Sequence, residues 1–420
     1  MTSVTAALWA KLFSLWAEEN RKAMKTSGLL TGIRVLDLTR VMSGPFCTSM
    51  LADLGAEIIK IEMPGFGDEA RHFGPYQEDE STYFMMLNRR KKSVTVNMKE
   101  KQGQDIVKAL VPQCDVIVEN FRPGVMDRLG LGEEAVRALN PTIIYASISG
   151  FGQESPLKNW PAFDLVIQAM GGLMSLTGPK GGPATAVGES MADVCTGMFG
   201  AFGIVSALFD RERSGKGHSV DVAMLDSIMA MQLTGLSRQL YAGDTPKPVG
   251  NRHPVTYPVD SFATQDGDIV MVCFSQGAFR ALCGVMGQPD LADDIRFKTN
   301  DDRNANEDTL RAIITDWAAT QTQDPLVETL QSAGIPAGPV WTLQDLTQSE
   351  HVAERGLVTE GAHQKFGKVP LVPQPVKFNG AAHVGEAFVP TLGEHTDEVL
   401  GEMLNLDHAE IGALRANKII

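Results

Sequence analysis

Short apolar runs and longer amphipathic stretches alternate along the chain between residues 32 and 150. Segments 33–38 (IRVLDL), 57–61 (EIIKI), 93–97 (SVTVN), 115–119 (DVIVE) and 142–148 (TIIYASI) read as strands, brief and rich in Val and Ile. Segments 46–54, 102–110 and 133–139 read as helices between them. Pro45 stands where a helix takes an N1 proline, and Gly55 where it takes a C′ glycine. Strands alternating with helices predict an α/β domain with a mostly parallel sheet, whose ligands bind at the carboxyl ends of the strands.

Farther on, 163–174 reads as helical and 177–188 is rich in Gly and Pro. A long helix is expected over 194–211, ended by Ser214-Gly215-Lys216-Gly217. Segment 219–222 (SVDV) adds a strand and 223–237 a Met-rich helix. Pro, Gly and Asn then gather around 243–258, as in a linker. Residues 261–272 predict a hairpin turning at Asp266-Gly267. With helices at 277–286 and 309–319, this suggests a smaller α+β domain. At the amino terminus Leu8, Trp9, Leu12, Phe13 and Trp16 recur at helical spacing. They predict an amphipathic helix that packs on the body of the protein or on a partner subunit.

Composition narrows the functional classes. A chain of 420 residues exceeds what one core usually spans, so two or three domains are expected. A formal net charge of −14 argues against broad electrostatic binding to nucleic acid. No run approaches the ~18 apolar residues of a membrane span. Five scattered cysteines without a CxxC pair fit a reducing, cytoplasmic setting. The eight histidines lack metal-ligand spacing, so no metal is expected. The dinucleotide fingerprint, the Walker loop and the Gly-x-Ser-x-Gly elbow are all missing. What stands out is the loop 39–45 (TRVMSGP) after the first strand, and the basic run Arg89-Arg90-Lys91-Lys92. That run reads either as a solvated charged turn or as an anchor for phosphates.

A family resemblance then enters. Segments 32–45 (GIRVLDLTRVMSGP), 51–62 (LADLGAEIIKIE), 88–99, 118–130 (VENFRPGVMDRLG), 140–152 (NPTIIYASISGFG) and 161–172 (PAFDLVIQAMGG) follow one another. Then come Ala192-Asp193, 215–224 (GKGHSVDVAM) and 393–397 (GEHTD). This succession resembles the class III CoA-transferase family, the formyl-CoA:oxalate and carnitine CoA-transferase group of CaiB/BaiF type. The resemblance implies a Rossmann-like large α/β domain plus a smaller α+β domain, in an interlocked homodimer of ring-threaded chains. It leaves the N-terminal helical extension (1–28) outside and implies a large CoA-binding domain (29–225), a linker and small domain (226–333), and a C-terminal return into the large domain (334–420).

It also implies a chemistry. Family members move CoA from an acyl-CoA to a free carboxylate, and the catalytic aspartate falls on Asp193. A position before a helix offers free N–H groups and a positive dipole end, which would keep Asp193 ionised. CoA or acyl-CoA is then the substrate, with no permanently bound cofactor and no metal, nucleic-acid or membrane partner. By motif, Met42 and Ser43 lie beside the pantetheine and thioester. Val96, Asn97, Met98 and Lys99 line the cofactor, as do Asn120, Phe121 and Arg122, with Arg128 as a phosphate partner. Phe163 and Asp164 flank the thiol end.

Departures from the family pattern limit the carry-over. A family glutamine is Met42 here, and an arginine near the adenine in some members is Met63. The glycine-rich loop of the formyl-CoA branch is not apparent between 250 and 272, where Asn251-Arg252-His253-Pro254 stands. Arg252 or His253 is a candidate for the acceptor carboxylate, against a reading as turn charges. The leading expectation is transfer from succinyl-CoA to a small dicarboxylate. One alternative is an α-methylacyl-CoA racemase-like enzyme, whose proton-carrying histidine falls at Phe163; another is a non-catalytic CoA-binding dimer.

Overall fold

The computed structural model describes residues 28–378, 380 and 385–420. The helix expected near residues 8–16, and nearly all of the 1–28 extension, lie outside the described residues. Six strands form the main sheet: β1 (Arg34–Asp37), β2 (Glu57–Glu62), β3 (Lys91–Thr95), β4 (Val116–Glu119), β5 (Ile144–Ser149) and β6 (Ser219–Ala223). Their order is β3-β2-β1-β4-β5-β6, and every neighbouring pair is parallel. The winding reverses between β1 and β4, which opens a crevice at their carboxyl ends.

The period of two along the strands divides the core between the sheet's faces. Val35, Ile58, Val116, Val118 and Ile144 join one cluster, with Cys47 and Leu51 of helix α1 (Ser43–Asp53) and Ile204 of helix α2 (Met191–Ser214). Leu36, Ile59, Ile117 and Tyr145 join the other, with Val107 and with Leu400, Ile411 and Leu414 from the two C-terminal helices. Both faces are covered, so the strands read as continuous apolar runs. The 393–397 motif secures the C-terminal segment to β3. The Gly393 N–H donates to Ser93 Oγ (2.8 Å), the His395 N–H to the Ser93 carbonyl (2.9 Å), and the Thr95 N–H to Thr396 Oγ1 (3.0 Å).

The described chain divides into two compact units. One takes the residues up to Gly172, with Val187–Leu233 and Arg355–Ile420; the other takes Leu173–Ala186 and Thr234–Glu354. The longer stretch of the smaller unit therefore starts later than the expected 226 and continues past the expected 333, and the unit also takes Leu173–Ala186, a stretch assigned to the large domain. Hydrogen bonding explains the difference. Strand Ala337–Pro339 pairs antiparallel with Asp268–Val272, and the Gly250 N–H donates to the Gly178 carbonyl (2.9 Å). Strands Val259–Ala263 and Asp268–Val272 form the hairpin expected around Asp266-Gly267.

Three further expectations are corrected. Pro45 is the third residue of α1, not the first; its missing N–H is still one of the donors that lack a partner in a first helical turn. Helix α2 is, among the described residues, long and apolar enough by length and composition to cross a membrane, which counting unbroken apolar runs did not reveal. Half of its apolar window is buried within the protein, as in a core helix. The basic run is neither a solvated turn nor a phosphate anchor. Arg89 is only 3% exposed and pairs with Asp53 (2.6 Å); Lys91 is wholly buried beside Asp37 (3.2 Å); Lys92 bridges Glu57 and Glu398. Arg90 donates to the carbonyls of Gly385 and Glu386.

Candidate active site

The loop after β1 delivers residues 39–43 to the crevice. Asn120, just past β4, holds it from one side: its Oδ1 accepts from the Arg40 N–H (2.9 Å) and its Nδ2 donates to the Arg40 carbonyl (2.8 Å). Val41 adopts φ +66°, a left-handed conformation disfavoured for a β-branched side chain. Met42 then caps α1, and Ser43 begins it.

Helix α2 brings Asp193 to the same point. Ser190 is the N-cap, so Asp193 is the third helical residue rather than one standing before the helix. Gly197, one turn on, permits the two helices to approach: a Cβ there would lie 2.7 Å from the Ser43 carbonyl oxygen. Ser43 and Asp193 line the same cavity, and the Ser43 hydroxyl and backbone N–H favour the ionised form of the carboxyl.

The expectation that the helix end keeps Asp193 ionised is corrected. Asp164 occupies that role: its Oδ1 accepts from the Ala192 N–H (2.7 Å) and, at 3.4 Å, from the Asp193 N–H. Gln168 Nε2 donates to Asp164 Oδ2 (2.7 Å) and fixes it. Burial first, and the Asp164 charge next, push the Asp193 carboxyl up to about 7, against the pull of the Ser43 donors. A half-buried carboxyl poised near neutrality in a cavity wall marks a candidate functional site. Glu119, at the end of β4, is likewise pushed up to about 7 by burial, while its Oε2 accepts from the Phe121 N–H (2.8 Å).

Two cavities flank the point where the winding reverses. A cavity of about 230 Å³ is lined by Asp193, Met42, Ser43, Asn120, Phe121, Arg122 and Phe163, with Trp160, Lys158 and Met224 among the others. A second, of about 620 Å³, is lined by Val96, Met98, Lys99 and Phe121, with Leu38, Ile61, Met63, Phe66 and Leu129. Arg40, Glu69 and Phe121 border both. Arg40 pairs with Glu69 (2.5 Å) and lies over the Phe121 ring.

Three of the sequence-derived positions line neither cavity. Asn97 turns its Oδ1 to the Lys99 N–H (3.1 Å). Arg128 is exposed on a short helix. Asp164 serves the α2 terminus. Asn120 does line a cavity, but both ends of its carboxamide are engaged by Arg40. In the second unit, Arg252 is already neutralised by Glu307 and bonded to Asn304, and His253 Nδ1 accepts from the Thr256 N–H (3.1 Å). Those pairings favour structural roles over capture of a carboxylate.

Residues missed from the sequence include Arg40, Met224, Phe73 and the Lys158–Trp160 turn. Tyr83 also belongs here. Its ring packs edge-on to Phe73, and burial, then the Asp193 charge, push its phenol up. Taking the positions immediately after every strand would have found Leu38, Met63 and Gly150.

These features define a doubly wound α/β protein with a half-buried carboxyl at the wall of its crevice. A family model described as CoA-transferase family III matches residues 30–396, and the chain belongs to that family. It is 43% identical over 357 residues to an acetyl-CoA:oxalate CoA-transferase of Acetobacter aceti, covering 85% of this chain and 90% of that protein. It is 38% identical over 407 residues to a succinyl-CoA:glutarate CoA-transferase of Mus musculus, covering 97% and 93%. Among solved structures, a CaiB/BaiF family protein from Brucella suis superposes with a TM-score of 0.81 at 34% identity, covering 90% of this chain and all of that one.

Proposed function

We propose that the protein transfers CoA from an acyl-CoA, with succinyl-CoA as the leading donor, to a small dicarboxylic acid through covalent intermediates on Asp193. The observation that carries this reading is one half-buried carboxyl at the wall of a crevice, with Ser43 lining the cavity beside it. The 620 Å³ cavity suits the adenosine end of CoA, and the smaller cavity the thioester. Arg122 and Lys158, which make no ion pair among the described residues, offer charge to phosphate or carboxylate groups. The relatives named for oxalate and glutarate transfer support a dicarboxylate acceptor.

The steps balance without an outside reagent. An Asp193 oxygen attacks the thioester carbonyl; the C–S bond breaks and CoA thiolate leaves an acyl-aspartyl anhydride. The thiolate attacks the aspartyl carbonyl, forming an aspartyl-CoA thioester and releasing the donor acid. The acceptor carboxylate attacks that thioester, and the thiolate then attacks the acceptor's carbonyl in the new anhydride. Acceptor-CoA departs and the Asp193 carboxylate returns. A racemase would need a proton carrier where Phe163 stands, and phenylalanine has none.

The family's interlocked homodimer is part of this reading. Helix α2 leaves Met198, Phe202, Val205 and Phe209 exposed, an apolar row suited to cover by a second copy. The five buried, unpaired cysteines support a cytoplasmic setting.

The test is succinyl-CoA incubated with a panel of free acids and read by mass spectrometry. The expected product is the acid's own CoA thioester in step with free succinate. Tight CoA binding with no new thioester from any acid would favour the non-catalytic reading. The pH profile adds a second check. Only ionised Asp193 attacks, so kcat/KM should rise with pH through an apparent pKa of about 7 and level above it. Ser43→Ala removes a donor to the charged form, so the acid limb should move to higher pH.

A further inference from the structure

We propose that Asp68, paired with Lys60, is a positioning residue for this transfer: it holds the Val41 peptide in the conformation that presents Ser43 to Asp193. The inference rests on the CoA-transfer reading. Neither residue lines the cavity that Asp193 lines, though Asp68 borders the larger one, and neither stood out in the sequence.

The geometry is a clamp with three jaws on three consecutive residues. Asp68 Oδ1 accepts from the Val41 N–H (2.9 Å) and from the Ala70 N–H (2.9 Å), capping the short turn Glu69–His72. Its Oδ2 has the Lys60 ammonium at 2.8 Å, and both side chains are buried. The same ammonium donates to the Thr39 carbonyl (2.8 Å). Asn120 takes both polar groups of Arg40. The backbone of 39–41 is thus tied at Thr39 O, Arg40 N, Arg40 O and Val41 N. The Asp68 N–H donates to Glu62 Oε2 (3.0 Å), and Arg71 pairs with Glu62 (2.7 Å), so the jaw itself is fixed.

Such restraint has a reason. Val41 stands at φ +66°, where its Cβ is crowded, and a free loop would relax to negative φ. Relaxation two residues before Ser43 would turn both of its donors away from Asp193. A misplacement of about 1 Å costs on the order of 100-fold in rate.

The test uses full-length enzyme with Asp68→Ala, Asp68→Asn and the double variant Asp68→Ala/Val41→Gly. Asp68→Ala is expected to lose about 100-fold in kcat with little change in the KM for acyl-CoA. Asp68→Asn keeps an acceptor for the Val41 N–H and should recover most of kcat. Glycine takes positive φ freely, so Val41→Gly should restore part of the loss, a rescue that a purely structural role would not give. A folded Asp68→Ala enzyme with kcat within about threefold of wild type, well short of the loss expected from misplacement, would overturn the proposal. If alanine prevents folding, Asp68→Ser keeps a short acceptor that can still cap the Ala70 N–H but reaches less far toward the Val41 N–H, and the same outcomes apply. Amide hydrogen exchange at Val41 needs no turnover. Slow exchange in wild type that quickens in the alanine or serine variant supports the clamp, and fast exchange in wild type contradicts it. Failure of wild-type enzyme to transfer CoA counts instead against the proposed function.

Discussion

Asp193→Asn is expected to reduce CoA transfer by at least about 10⁴-fold and, at pH 8, to melt at a higher temperature than wild type. The two effects share one cause. An amide keeps an acceptor for Ser43 but cannot form the anhydride. It also removes a charge that the fold resists, since burial and then Asp164 push the Asp193 carboxyl up to about 7 from 3.8. The folded state keeps that proton up to about pH 7, whereas the unfolded chain releases it near pH 4. Stability from this group is therefore full below pH 4 and is lost as pH rises to about 7. Wild type and Asp193→Asn should melt alike near pH 4, and the variant should lead by about 2 kcal/mol at pH 8. That is about half of what moving the proton from 3.8 to about 7 would carry in a dry interior, because the carboxylate keeps some contact with water. Thermal melts across pH check it. A variant less stable than wild type at pH 8 would mean that Asp193 is better solvated than its surroundings imply.

The site was readable where its chemistry follows the chain and hidden where it depends on what the fold brings near. Strand positions followed from short Val- and Ile-rich runs, because a doubly covered parallel sheet leaves no polar face to blur them. Met42, Ser43 and Phe121 came from the family motif, and all three lie past strand ends. Asp164 was placed near the thiol, but its role depends on α2 starting at Met191, a boundary that the sequence put three residues later. The clamp on Val41 was invisible: Lys60 and Asp68 come from a strand and a following loop, and nothing local marks them as partners.

The basic run is the clearest case, and it carries the second large effect. Lys91→Met is expected to destabilise the protein by about 3–5 kcal/mol. Periodicity cannot tell a charged turn from a charged strand, so Arg89-Arg90-Lys91-Lys92 looked exposed. In fact Lys91 opens β3 with its ammonium buried against Asp37 (3.2 Å), the Pro45 carbonyl (2.9 Å) and Asn88 Oδ1 (3.0 Å). Asp37 also accepts from the Thr39 N–H (2.8 Å), Thr39 Oγ1 (2.5 Å) and Thr48 Oγ1 (2.7 Å). Against the cost of burial, the Lys91 charge and then the Lys60 charge, with the Thr39 and Thr48 hydroxyls behind them, hold Asp37 ionised below its ordinary range. Methionine fills the space but strands that carboxylate without its nearest counter-charge. A loss of that size is a large share of the ~5–15 kcal/mol that keeps a typical domain folded. Urea unfolding is the measurement, and Asp37→Asn in the Lys91→Met background should recover part of the loss. A midpoint equal to wild type would show that the pair contributes nothing.

The most direct trial of the account follows one oxygen atom. If the acceptor attacks an aspartyl-CoA thioester and leaves as its own thioester, one of its carboxylate oxygens stays behind on Asp193. Turnover with an acceptor labelled with heavy oxygen, followed by digestion and mass spectrometry of the peptide bearing Asp193, should find that label in its side chain. Transfer that proceeds at full rate while the Asp193 peptide stays unlabelled would contradict the account.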